Sequence, residues 1–131
     1  MGLADGYAWE KEHGHKEADP TGKAPNEAGA KLDAGKTRVA LMMSGFPRAL
    51  KAVAEVTTFG AKKYTPNGWV SVPDGVERYT DAMARHQLEE FQGEILDQDS
   101  GLTHAAHLAW NALARLELML RKAKAEVSDA A

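Results

Sequence analysis

Two stretches of helical periodicity, residues 76–95 and 104–123, lie on either side of one short turn, DQDSG at 97–101, and this pairing constrains the chain more than any other feature. Each residue of a helix advances about 100°, so side chains three and four apart share a face. In the first stretch Ala84, Leu88, Phe91 and Ile95 form one line, which is expected to face a core. A second line begins apolar at Val76, Tyr79 and Met83 and continues as His86, Glu90 and Glu94 toward Asp97. The second stretch repeats the design. Ala105, Leu108, Ala112, Leu116 and Met119 are the expected inward stripe, flanked by His104, His107, Asn111 and Arg115, with Thr103 as the N-terminal cap. Helices joined by so short a link pack antiparallel, which brings the acidic end of one seam beside the histidines of the other.

A third helix is predicted over residues 47–64. Pro47 suits its first turn, Ser44 is a candidate cap just upstream, and Leu50, Val53, Ala54, Thr57 and Ala61 recur at helical spacing. The punctuated stretch YTPNGWVSVPDG then requires a loop, with Asp74 a candidate cap for the next helix. The run VALMM at 39–43 reads equally as a strand, a core-covering loop or a helical turn. Residues 1–28 are polar, carry Tyr7 and Trp9 without periodicity, and read as a disordered or extended arm. The organisation expected is therefore an arm (1–28), a helical domain (29–123) and a frayed tail (124–131). The fold class is all-α, a small helical bundle. Three long helices enclose a thin core, so completion as a homodimer or homotetramer is expected, with Trp110, on a third side near Glu117, as an interface residue.

Composition removes several classes of function. There is no cysteine, so disulfides, thiolate nucleophiles and Cys-ligated zinc are excluded, and carboxylates and imidazoles are the strong metal ligands left. A net charge of −3 argues against a nucleic-acid partner, whose affinity comes mainly from Lys and Arg on phosphates. No apolar run approaches the roughly 18 residues of a membrane span, and no secretory leader pattern opens the sequence, so a cytoplasmic protein without a membrane partner is expected. Two motif-like strings fail. The GKT at Gly35–Thr37 has five residues between Gly29 and Gly35 where a phosphate-binding loop has four, and DQDSG places its Gly one position early for an EF-hand, with Leu108 where that loop has its bidentate Glu.

Glu94 and Asp97 share a face if their helix persists to 97, and His104 and His107 repeat the spacing across the turn. Together they offer oxygen and imidazole donors for a divalent ion. A solvated helix end beside hydrogen-bonded packing histidines is the other reading of the same spacing. Glu55 is the lone acid in the middle of the 47–64 helix, either simply exposed or paired with a metal or a lysine. The His13–His15 pair reads as polar tail. Cations gather at Lys31, Lys36 and Arg38, at Lys62 and Lys63, and at Arg85. They are candidates for phosphate contacts, although Lys62 and Lys63 also suit a helix C-terminus through its dipole.

Taken together, GAKLDAGKTR, AEVTTFGAKKY, Trp69, ARHQLEEFQGEILDQDSGLTHAAH and Asn111, in that order between about Gly29 and Met119, resemble the phage dATP/dGTP diphosphohydrolase family. The resemblance implies a relative of the all-α MazG-like pyrophosphatases, which cleave nucleoside triphosphates between the α and β phosphorus to a monophosphate and pyrophosphate. It also implies a place in phage nucleotide-pool remodelling in the host cytoplasm, including genomes that use 2-aminoadenine. Glu89, Glu90 and Glu94 read as EExxxE, one residue longer than the MazG EExxE, while Glu94–Asp97 gives an ExxD directly. By resemblance Glu55, Glu94, Asp97 and His104 are the expected catalytic residues, and Glu55, Glu90, Glu94, Asp97 and His107 the expected ligands of Mg²⁺ or Mn²⁺, with Co²⁺ as a further candidate. The ion would neutralise the triphosphate and acidify the attacking water. The expected substrate contacts are Lys31, Lys36, Arg38, Lys62, Lys63, Arg85 and Asn111. A non-catalytic helical module that binds nucleotide or protein is the competing class, distinguished by indifference to metal.

Overall fold

The computed structural model describes residues 17–130, so the first part of the predicted arm, with Tyr7, Trp9, His13 and His15, lies outside the described residues. In chain order the elements are α1 (Val39–Gly45), α2 (Pro47–Lys63), a 3-10 turn (Gly68–Ser71), α3 (Gly75–Phe91) and α4 (His104–Ala130). The described residues contain no strand, only an isolated antiparallel bridge between Leu96 and Thr103. The all-α expectation holds, and the VALMM run is helical. Pro47 opens α2 as expected, but Ser44 does not cap it: its hydroxyl donates back to the Leu41 carbonyl at 3.1 Å.

Helix α3 ends four residues earlier than its periodicity predicts. Gly93 takes φ 98°, its N–H donates to the Glu90 carbonyl and the Glu94 N–H to that of Glu89, both at 3.0 Å. These two bonds are a Schellman stop, in which a left-handed glycine caps the last free carbonyls. Glu94 and Asp97 therefore lie on the connecting loop and not on one helical face. At the other end Asp74 sits in the left-handed region (φ 54°) without a side-chain cap bond, so it bends the chain into the helix and does not cap it. Thr103 does cap α4, accepting the Ala106 N–H at 3.1 Å. With no Gly or Pro to stop it, α4 continues to Ala130, past the predicted end at 123.

The antiparallel pair α3–α4 is the main packing unit, and α2 lies against α4. At the start of α3 the backbone of Gly75 approaches α4 so closely that a Cβ there would stand 2.7 Å from Leu118 Cδ1. Farther along, Arg115 Nε donates to Thr80 Oγ1 at 2.8 Å and joins the two helices. The interior is not where the apolar stripes predict it. Leu88, Phe91 and Ile95 are 56%, 75% and 59% exposed, and Leu116 is also exposed. The buried positions of α4 are His104, Ala106, His107, Asn111 and Ala114, so the polar seam takes the interior, while of the predicted apolar stripe Ala105 and Leu116 are exposed and Leu108, Ala112 and Met119 half-buried. Val56, Ala106 and Ala114 are the buried apolar residues among those described.

Before α1 the chain forms hydrogen-bonded turns gathered on Asp19, a buried carboxylate. It accepts the N–H and hydroxyl of Thr21 and, at 2.7 Å, the N–H of Lys31. These bonds hold the Asp19 carboxyl below its usual range.

Candidate active site

The loop between α3 and α4 is built so that its polar side chains return to the seam. The Asp97 N–H donates to the Leu102 carbonyl, and Gly101, at φ 73°, donates back to the Asp97 carbonyl, both at 2.8 Å. This tight return places Ser100 over His107, with Ser100 Oγ 2.6 Å from His107 Nε2, while Asp97 Oδ2 accepts the Ser100 N–H at 2.8 Å. The His104 N–H reaches the Ile95 carbonyl at 2.9 Å, fixing the first turn of α4 beside the loop.

Three histidines and two carboxylates meet there. His86, from α3, stacks on His107 with ring centroids 4.6 Å apart and planes 10° from parallel. Its Nδ1 is 2.8 Å from Nδ1 of His104, whose Nε2 lies 3.1 Å from Glu94 Oε1. A carboxylate only accepts, so His104 Nε2 carries a proton toward Glu94, while Nδ1 faces His86. Nitrogens of His86 and His104 and an oxygen of Asp97 all lie within 4.8 Å of one another. Two imidazoles and a carboxylate match a divalent ion of intermediate hardness, and the carboxylate behind His104 is the usual second partner of a metal-ligating imidazole. The residues present therefore fit a divalent cation, with Glu94 placed to orient a ligand.

The electrostatics favour that use. Burial pushes the imidazoles of His86 and His107 below their ordinary range, with nearby histidines adding to the effect and Asp97 opposing it. Both rings are thus neutral near pH 7, as ligation and proton acceptance require. Burial by itself would raise the Asp97 carboxyl, but the Ser100 amide and hydroxyl and the two histidines together hold it below its usual value.

The cluster opens on a cavity of about 1120 Å³ between α2, α3, α4 and the 65–72 loop. His86, Asp97, His107, Lys63, Arg85 and Asn111 line it, whereas His104 and Glu94 are not part of its lining and connect to it through the His104–His86 contact. Lys63 is tied to Asp99 at 2.5 Å, a contact that raises its ammonium pKa. The other sequence-predicted residues lie apart. Helix α2 turns Val56, Phe59, Gly60 and Lys63 toward the cavity, leaving Glu55 and Lys62 exposed on other faces. Glu90 is half-buried outside the cavity, and Lys31, Lys36 and Arg38 line a separate one of about 670 Å³.

His86 is the donor that sequence reasoning left out of the site, although it stands on the seam at helical spacing from Tyr79 and Met83. Ser100 was hidden inside the turn. Trp110 is not the exposed aromatic expected: it is half-buried against Trp69 and Tyr79, at centroid distances of 5.7 and 5.6 Å. No periodicity could show this, because Trp69 comes from the loop before α3.

A family model described as dATP/dGTP diphosphohydrolase, N-terminal, matches residues 26–128. A dATP/dGTP diphosphohydrolase of Salmonella phage PMBT28 is 38% identical over 81 residues, 62% of this chain and 26% of that protein. The chain thus spans about a quarter of the length of the curated relative it matches. No solved structure matches.

Proposed function

The chain belongs to the dATP/dGTP diphosphohydrolase N-terminal family, and from that premise we propose that it is a divalent-metal-dependent hydrolase of purine (deoxy)nucleoside triphosphates, dATP or dGTP, yielding the monophosphate and pyrophosphate. The observation that carries this reading is the His86–Asp97–His104 donor set, of which His86 and Asp97 line a cavity large enough for a nucleotide. His86, Asp97 and His104 would hold the divalent cation, Mn²⁺ or Co²⁺ more readily than Mg²⁺ because two of the three donors are imidazoles, and Glu94 would keep His104 in the ligating tautomer. When bound, the cation neutralises phosphate oxygens and lowers the pKa of water. Arg85 and Lys63, both on the cavity wall, hold the phosphate oxygens. His107, neutral, on the cavity wall and hydrogen-bonded to Ser100, would accept the proton of the water that attacks the α-phosphorus as pyrophosphate leaves.

On the same reading the fold is a variant of the MazG-like bundle, and the physiological role is remodelling of the purine deoxynucleotide pool in an infected cell, including supply for 2-aminoadenine DNA. No helix among the described residues is long and apolar enough to cross a membrane, consistent with work in the host cytoplasm. The exposed apolar side chains of α3 and α4, Leu88, Phe91, Leu113 and Leu116, support assembly as a homodimer or homotetramer.

Product analysis tests the reaction. Each common NTP and dNTP is incubated with the protein and Mg²⁺, Mn²⁺, Co²⁺ or EDTA, and products are separated by ion exchange. Monophosphate and pyrophosphate from purine deoxynucleotides, with metal only, is the expected result. Absence of turnover with every metal from folded protein would overturn it in favour of a binding module.

A further inference from the structure

We propose that the wall of the cavity formed by Trp69, Tyr79 and Trp110 is a subsite for a purine base, with Asn111 reading its hydrogen-bonding edge. The identity of the ligand rests on the nucleotide-hydrolase reading above, whereas the subsite itself rests on the following geometry.

All four residues line the cavity. The three rings meet edge to face, with centroids 5.6 to 6.2 Å apart and planes inclined by 73° to 79°. The Tyr79 hydroxyl donates to the Trp69 carbonyl at 2.8 Å, which fixes the loop ring against the helical ones. Rings held in this way form an angular apolar corner in which each individual ring is fixed without a further ordering cost, with the Arg121 guanidinium 5.9 Å from the Trp69 centroid. A base can stack on a single fixed ring face.

Asn111 gives the independent indication of a ligand. It is 5% exposed, and one of its side-chain N–H groups donates to the His107 carbonyl at 2.8 Å. That bond fixes the carboxamide orientation, since a carbonyl only accepts. The amide oxygen and the second N–H take no partner among the described residues. A buried carboxamide with one acceptor and one donor unused is costly unless something polar completes it. An acceptor beside a donor is also the pattern with which Asn recognises a purine edge.

Spacing relates this wall to the metal donors. Tyr79 and His86 are seven residues apart on α3, and so are Asn111 and His104 on α4. At about 1.5 Å per residue both intervals are roughly 10 Å. That is the scale of the reach from an α-phosphate, across a deoxyribose, to the base. A nucleotide with its phosphates at the His86–Asp97–His104 end would thus set its base among the aromatic rings.

Tryptophan emission of the full chain, in a Trp9→Phe background so that only Trp69 and Trp110 report, tests the subsite directly. Titration with dAMP and dGMP should change the emission saturably, while 2-deoxyribose 5-phosphate and inorganic tripolyphosphate should not. Trp69→Leu and Asn111→Ala should each weaken purine mononucleotide binding about tenfold, and Trp69→Phe much less, with tripolyphosphate and Mn²⁺ affinities unchanged. Circular dichroism confirms the folding of each variant. If emission ignores the mononucleotides, or responds equally to tripolyphosphate, the subsite is refuted. If dNTP turnover occurs and Trp69→Leu leaves its KM unchanged, the subsite falls while the hydrolase reading stands. If mononucleotides bind at the rings and no turnover is found, the hydrolase reading falls and the subsite stands.

Discussion

Replacing Glu94 by Gln separates a carboxylate that ligates the ion from one that orients a ligand. Glu94 Oε1 lies 3.1 Å from His104 Nε2, and the His104 side chain is 3% exposed against 32% for Glu94. A hydrogen bond to a charged group contributes about 1.5–3 kcal/mol and a neutral one about 0.5–1.5. Glu94→Gln therefore costs the orientation of His104 about 1 kcal/mol, roughly a fivefold loss, and the partial exposure of the carboxylate keeps the loss at the lower end. Carboxylates one bond behind a metal usually matter by about 10- to 100-fold in metal affinity, so the two arguments meet near tenfold. Glu94→Ala leaves Nε2–H without its acceptor, frees the ring to change tautomer and should lie toward the upper limit. The assay is calorimetric titration of Mn²⁺ at pH 7.5, with circular dichroism to confirm folding and His104→Ala as the reference for loss of a direct ligand. Unchanged affinity in both Glu94 variants would refute orientation through His104. A loss in Glu94→Gln as complete as in His104→Ala would show instead that Glu94 binds the ion itself.

Three further outcomes are expected. Since the folded-state pKa values of His86 and His107 lie below the ordinary 6.5, the unfolded chain takes up these protons first as pH falls; in EDTA the melting temperature should be highest above about 6.5 and decline below it, and a flat or rising profile would contradict the burial of neutral rings. At Gly75 a Cβ meets the movable tip of Leu118, so Gly75→Ala should change unfolding free energy by less than about 1 kcal/mol, whereas Gly75→Val should cost about 1–3; denaturant titrations in which both are neutral would show that the helices are not closely apposed there. Glu at Leu88 and Leu116 (Leu88→Glu with Leu116→Glu) should convert the protein to a folded monomer in sedimentation analysis, and a wild type that is already monomeric would remove the need for a partner on that face.

The helices were legible because each depends on local signals: Pro47 at a first turn, Thr103 at a cap and apolar recurrence along 104–123. The early stop of α3 was legible too, in Gly93, but periodicity through Ile95 outweighed a single glycine. Which stripe lies inside could not be read, because hydrophobicity ranks faces only when the core is apolar. Here the seam of His86, His104, His107 and Asn111 occupies the interior, and Leu88, Phe91 and Leu116 are left on the surface. The convergence of Glu94, Asp97, His104 and His107 at one end of the bundle followed from the short turn. The contacts His104 makes to Glu94 on one side and His86 on the other did not, because they depend on which imidazole nitrogen faces which partner. The aromatic wall unites residues from a loop and two helices, a juxtaposition that only tertiary structure creates.

No side chain among the described residues is completely shielded from water, and the buried ones include four polar groups, Asp19, His104, His107 and Asn111, beside the small apolar Val56, Ala106 and Ala114. For such a molecule, occupancy of the seam substitutes for a hydrophobic centre. A ligand present at a hundred times its dissociation constant adds about 2.7 kcal/mol to folding, comparable with burying one large apolar side chain. On the proposed function, the survival of the protein in a cell would follow the supply of metal and nucleotide: abundance would lengthen its lifetime, and exhaustion would leave the chain easier to unfold and degrade.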